Sequence, residues 1–367
     1  MKRYLRLSII RKLPLFVVLS VLLLTVAFVS ASNVEFESEY ASYYYSLMPR
    51  CDVASLISTF FLIMTALPFF GMNYRYSLGK SDLYRQVAFK DKRIRYGEHL
   101  SSLIIICIAF TLATSVQVAT LLTKNYIIAE NPAFYLNFIW FIPMYFICLL
   151  VGTGLYFISY LFISRSNVFI NSLLTFFLGY TFVNCIVYIV IVYSAGDIST
   201  ASNFLQGPSP VGAISYTAQG FEGLICYNQF NLFTEGSDWQ ISASFFTCII
   251  EFVLLAALGI VAFIVEKDPS SEWAGKPDSD KPYQEILFHA GFATIGLIIG
   301  SVMNSVMFLS ILVTLLFYVI YAASYYTLYG LLHRNFKLKG YQFAIVFGTV
   351  GITFVIGLIN ALLRYSD

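Results

Sequence analysis

Runs of about twenty apolar residues recur from one end of this chain to the other, and that pattern narrows its folds more than anything else. A bilayer's hydrocarbon core is about 30 Å thick, so a helix crossing it needs about 20 predominantly apolar residues. The expected spans are Leu13–Ala31, Val53–Met72, Leu100–Leu122, Phe134–Ile163, Val168–Tyr193, Ala243–Val265, Ile286–Met303, Val306–Leu328 and Tyr341–Leu363. That makes nine, provided the chain turns near Ser301–Ser305, where Asn304 is the best turn residue. Only 11% of the 367 residues are charged, against about 25% in a soluble domain. The expected class is an all-α polytopic integral membrane protein. A net charge of +2 excludes nucleic-acid binding through bulk positive charge.

Lys and Arg set the orientation, because cytoplasmic segments carry the excess of both. With a cytoplasmic amino terminus and alternating spans, 19 of the 22 Lys and Arg fall inside. Arg50, Lys124 and Arg364 fall outside. The first span has a basic start and a Val29-Ser30-Ala31 ending that resembles a signal-peptide cleavage site. Its apolar part is longer than the usual 7–15 residues of a signal peptide, which favours a retained anchor. Tyr40, Tyr43, Tyr44, Tyr45, Tyr325, Tyr326 and Tyr329 sit where headgroup anchors are expected.

Two outside segments are substantial. Ser32–Asp52 carries Glu35, Glu37 and Glu39. Ala195–Ser242 holds Pro208, Pro210, Gly207, Gly212, Gly220 and Gly223 between apolar patches too short to span. Those patches suit either half-helices in the outer interface or an ordinary loop, and both readings stay open. Cys51 and Cys226 fall outside, and one pair shows no disulfide framework. His99, His289 and His333 are scattered singly, so no metal site is expected.

Inside, residues 73–99 read NYRYSLGKSDLYRQVAFKDKRIRYGEH. Ser81 or Asp82 can cap a short helix, with Leu83, Tyr84, Val87 and Ala88 on one face and Arg85, Gln86 and Lys90 elsewhere. This surface helix either rests on anionic lipid or docks a cytoplasmic partner. Gly79-Lys80-Ser81 is not a phosphate loop, because the pattern needs glycine where Tyr74 stands. No catalytic residues are expected: no nucleophile elbow, zinc-protease motif or paired intramembrane carboxylates occur. Energy for any active transport must then come from another chain or an ion gradient.

One carboxyl lies deep in a span. Glu251 sits in the sixth, with Ser244, Thr247 and Cys248 one or two turns earlier on the same face. Such a group is expensive in lipid and usually faces protein or water. It is either a substrate or proton contact on a translocation path, or a hydrogen-bonded group joining helices. Asn171 and Thr175, four apart in the fifth span, are candidates for the same interior.

At these residues the chain resembles a bacterial family of ABC-2-type transporter permeases. Lys80, Asp82, Leu83, Tyr84 and Arg85 hold places matching that family's first cytoplasmic loop, with Leu83 where an aromatic is usual and Ala88-Phe89 where Leu-Pro is usual. Ser270–Pro277 and the following Lys281-Pro282 resemble its Ser-Glu-x-Ala-Gly segment after the sixth span. The motifs cover about forty residues.

The resemblance implies a six-helix ABC-2-like permease core in residues 1–265, with coupling loop 73–99 and outer re-entrant loop 195–242. A cytoplasmic linker, 266–285, and a three-helix membrane extension, 286–367, follow. It implies plasma-membrane localisation and an ABC ATPase subunit docking on Ser81, Asp82, Leu83, Tyr84, Arg85 and Lys90. It also implies a second permease subunit, identical or not. This chain would hold no cofactor, ATP and Mg residing on the ATPase. Two rivals remain: an ion-coupled secondary transporter using Glu251, and a membrane sensor or scaffold that moves nothing.

Overall fold

The computed structural model describes residues 2–32, 35–41, 44–50, 52–76, 91–128, 137–164, 166–195, 210–226, 238–266, 281–305, 311–333, 336–337 and 340–364. The chain begins with α1 (Lys2–Arg11) and α2 (Leu13–Ser32), which are almost one helix. At the junction Lys12 N donates to Ser8 O (3.1 Å) and Phe16 N to Lys12 O (2.9 Å). A two-stranded antiparallel hairpin follows, β1 (Glu35–Ala41) and β2 (Tyr44–Arg50), paired from Glu35 with Arg50 to Ala41 with Tyr44. It is the one sheet among the described residues, and it occupies a segment where the sequence predicted no span.

The remaining helices are α3 (Ala54–Gly71), α4 (Asp91–Ile128), α5 (Phe141–Ile163), α6 (Phe169–Ala195), α7 (Pro210–Cys226), α8 (Asp238–Val265), α9 (Lys281–Ser305), α10 (Ile311–His333) and α11 (Gly340–Arg364). Seven helical stretches among the described residues are long and apolar enough to cross a bilayer: Leu13–Ser32, Ala54–Gly71, Ile94–Lys124, Phe138–Ile163, Phe169–Ile186, Cys248–Val265 and Leu315–His333. The chain is a multi-pass helical membrane protein. Many hydroxyls inside these helices are satisfied locally, as suits a medium without water. Thr111, Thr114, Ser115 and Thr120 of α4 each donate to the carbonyl four residues back, at 2.7–2.9 Å.

Two compact units divide the chain. The first comprises Met1–Met72, Val87–Tyr160 and Pro210–Lys267, and so holds α1 to α4, most of α5, α7 and α8. Helix α4 packs along α1, α2 and α3, and α7 packs on α3 and α8. Phe60 of α3 stacks on Phe110 of α4 with centroids 4.0 Å apart, and both are buried.

The second unit comprises Asn73–Gln86, Leu161–Ser209 and Asp268–Asp367. Here α9 packs against α6, α10 and α11. Helix α6, the fifth expected span, thus groups with the C-terminal helices. Tyr318, Tyr321, Tyr325 and Tyr329 recur every three or four residues and form one stripe of α10, buried with Phe288 and Phe292 of α9. The Tyr321 hydroxyl donates to Phe292 O (2.6 Å), and Tyr325 bonds His289 Nδ1. This corrects the anchoring role read for Tyr325 and Tyr329, which are buried in helix packing instead of the headgroup zone.

Candidate functional site

The sequence concentrates its partner-docking chemistry in residues 73–99, and the structure shows how both ends of that segment are fastened. Its far end is the start of α4. There Glu98 is buried, and α1 and the α1–α2 junction surround it with donors. Tyr4 donates its hydroxyl to Glu98 Oε1 (2.7 Å), Ser8 donates to the same oxygen (3.0 Å) and Arg11 reaches it at 2.6 Å. Lys12 pairs with Oε2 at 3.0 Å and also donates to Ser101 Oγ and Ser102 Oγ, at 2.9 and 2.7 Å. A carboxylate is buried without large cost only when paired and hydrogen-bonded, and Glu98 has both. Burial pulls the Lys12 ammonium below its ordinary pKa, and the Glu98 charge pulls it partly back.

One turn earlier, Arg95 is fully buried and donates to Glu266 O (2.5 Å) at the end of α8. Its guanidinium lies 5.7 Å from the Phe263 ring centroid. The Glu266 carboxylate accepts from Tyr160 of α5, and His99 bonds the Tyr156 hydroxyl. Gly71 admits the His99 ring: a Cβ there would lie 2.6 Å from Nδ1. So the first turns of α4 are joined by polar contacts to α1, α5 and the end of α8, and packed closely on α3 at Gly71, within the first unit.

The near end is fastened in the second unit. Residues Asn73–Arg75 form a single 3-10 turn. Arg75 is buried and donates to Ser164 O (2.7 Å). The Tyr76 ring meets Phe169 edge-on at 5.6 Å, and burial pushes its phenol up to about 12. Asn171 and Thr175 lie in the same unit. Asn171 donates to Leu332 O (3.2 Å), and the Thr175 hydroxyl donates to the carbonyls of Asn171 (2.9 Å) and Ser172 (3.1 Å).

Of the residues singled out from sequence, Ser81, Asp82, Leu83, Tyr84, Arg85 and Lys90 lie outside the described residues, as does Cys51. Ser244 and Thr247 fall within α8, though their side chains are outside the described set. Glu251 is half-buried on α8, in the first unit, while Asn171 and Thr175 belong to the second. Its Oε2 is enclosed with no hydrogen-bond partner among the described residues. Among the described residues no three His, Cys, Asp or Glu side chains gather as a metal site would require.

Sequence reasoning missed the buried set itself. It counted Lys12, Arg75 and Arg95 only among the inside charges that set orientation. One signal was legible: an acid, Glu98, follows Arg95 by one helical turn inside a basic stretch at the start of a span. No family model, curated protein or solved structure matches this chain.

Proposed function

We propose that this chain is the membrane-spanning permease subunit of an ABC-type export system. A separate ATPase docks on residues 81–90 and supplies the ATP hydrolysis, and two permease subunits enclose the path. The amino terminus is cytoplasmic, the membrane is the plasma membrane, and α9 and α11 complete nine spans. The observation that supports this most is mechanical. Residues 77–90 run between two fastened ends, Arg75 in the second unit and Arg95 in the first. Arg95 stands near the start of α4, which is unbroken over its 38 residues, about 57 Å at 1.5 Å per residue. A push on the loop would be passed to a fastened residue at each end.

The test is co-purification and coupling. Arg85→Glu with Lys90→Glu reverses the charge offered to a partner, and like-charge juxtaposition at an interface costs several kcal/mol. The expected result is a loss of transport of at least about tenfold, equivalent to about 1.4 kcal/mol, with expression and Tm unchanged. A purified chain that never captures an ATPase, with the double variant transporting normally, defeats the proposal.

A second reading rests on Glu251. A carboxyl oxygen enclosed in a span with no hydrogen-bond partner among the described residues suits a group that carries a proton. Under that reading Glu251→Gln stops proton-driven transport, or frees it from the proton gradient, in reconstituted vesicles. Unchanged gradient dependence removes it.

A further inference from the structure

Helices α5, α7 and α8 enclose a groove of about 290 Å³ inside the first unit. Its floor holds Val151, Tyr216, Phe221, Cys248 and Phe252, all buried. Its mouth carries Ile147, Leu150, Ile249 and Val253, exposed by 44, 69, 42 and 56%. The wall hydroxyl of Thr217 is already committed to Ala213 O (2.7 Å), which leaves the lining essentially hydrocarbon.

The depth of the groove follows from chain direction. Helix α4 starts beside the beginning of α2, where Glu98 meets Lys12, and ends beside its close, where Lys124 bonds Ser32 O. Helix α5 therefore starts on the Ser32 side of the membrane. Asn137 N donates to Ile225 O (3.0 Å) and holds the end of α7 at that side. The groove residues Ile147–Val151 lie six to ten residues into α5, about 9–15 Å from its first turn. The mouth thus opens among acyl chains and away from water.

The same facts select the occupant. Water does not fill a cavity that offers it no polar partners. A helix of another chain, about 10 Å across with its side chains, is too wide for a space at the lower end of the about 300–1,000 Å³ typical of ligand pockets. The hydrocarbon outside the mouth fits both chemistry and size. We propose that the groove is a binding site for one acyl chain of a bilayer phospholipid, taken from the leaflet on the Ser32 side. The chain wedges between α5, α7 and α8, and the site is independent of whether the protein transports anything.

The experiment places the full-length protein in phosphatidylcholine–phosphatidylglycerol nanodiscs. These are doped with a phosphatidylcholine bearing a diazirine midway along one acyl chain, irradiated, and mapped by peptide. Adducts on Leu150, Thr217 and Val253 are expected to exceed those on Val17 and Val21, on the open face of α2, by roughly tenfold, the ratio a preference of about 1.4 kcal/mol gives. Ala213→Phe in the wall and Val253→Trp at the mouth are each expected to bring that ratio to about one. Val253 is exposed, so its variant tests the site even where Ala213→Phe fails to fold. Equal labelling of groove and α2 face in the unaltered protein overturns the proposal. So does an excess that survives in the Val253→Trp variant.

Discussion

Replacing Glu98 with glutamine lowers the unfolding temperature of the purified protein sharply, while replacing Arg11 with methionine scarcely moves it. Both side chains meet in the same ion pair, at 2.6 Å, yet their settings differ: the Arg11 side chain is 48% exposed and that of Glu98 4%. An exposed partner contributes about 0–1 kcal/mol, because water screens it and its side chain loses entropy when held. Removing the buried charge leaves the Lys12 ammonium, 10% exposed, without its counter-ion, and breaking such a pair costs about 3–5 kcal/mol. Glutamine keeps the shape and can still accept from Tyr4 and Ser8, so the loss reports charge and not packing. Lys12→Met alone is expected to be nearly as harmful, and Glu98→Gln with Lys12→Met to recover at least half of the loss. Thermal unfolding of the four variants in one detergent measures this. A Glu98→Gln protein no less stable than Arg11→Met shows that the cluster does not hold α1 and α2 to α4. The consequence for function is direct, because α4 is the helix that residues 77–90 lead into.

The crossings were legible because lipid demands the simplest of patterns: α2, α3 and α6 begin and end within two residues of the apolar runs, while α5 ends at Ile163 as expected but starts at Phe141 and not at Phe134. The turn expected at Ser301–Ser305 is corrected: α9 runs helically through Asn304 to Ser305, and residues 306–310, before α10, lie outside the described residues. What failed to show was partnership between charges. Lys12 and Glu98 are 86 residues apart and Arg95 and Glu266 are 171 apart, so no local spacing links them. A basic residue at a span's edge counts toward orientation whether or not a distant carboxylate reaches it. The tyrosine stripe of α10 misled for a related reason. An aromatic near a span's end suits the interface, and only the recurrence of Tyr318, Tyr321, Tyr325 and Tyr329 on one face tells a packed seam from a belt. The hairpin of β1 and β2 stayed hidden because an acidic, Tyr-rich outer segment carries no span signal and was read no further.

Gly259→Ala should be the most damaging glycine-to-alanine change among the described glycines. A Cβ at Gly259 of α8 would lie 2.1 Å from the carbonyl oxygen of Phe157 in α5 and 2.5 Å from its carbonyl carbon. Those are backbone atoms and cannot rotate away, so the two helices must part. Small residues at such crossings are what let membrane helices pack, since lipid supplies no hydrophobic force to press them together. Alanine is the better helix former by about 1 kcal/mol, yet overpacking typically costs about 1–3 kcal/mol. Here no side chain can absorb the clash, so the loss should reach the upper end of that range or pass it. Gly154→Ala is the control on the facing helix. Its Cβ would lie 2.4 Å from the Phe252 ring, a side chain that can turn toward the groove it borders. Gly154→Ala should therefore cost less than Gly259→Ala, and Gly259→Leu should abolish folded yield. Folded fraction after detergent extraction, with Tm of what survives, gives the order. Should Gly259→Ala prove as mild as Gly154→Ala, α5 and α8 do not touch at this crossing. The Arg95–Glu266–Tyr160 contacts beyond it would then have no firm seat from which α4 could be moved.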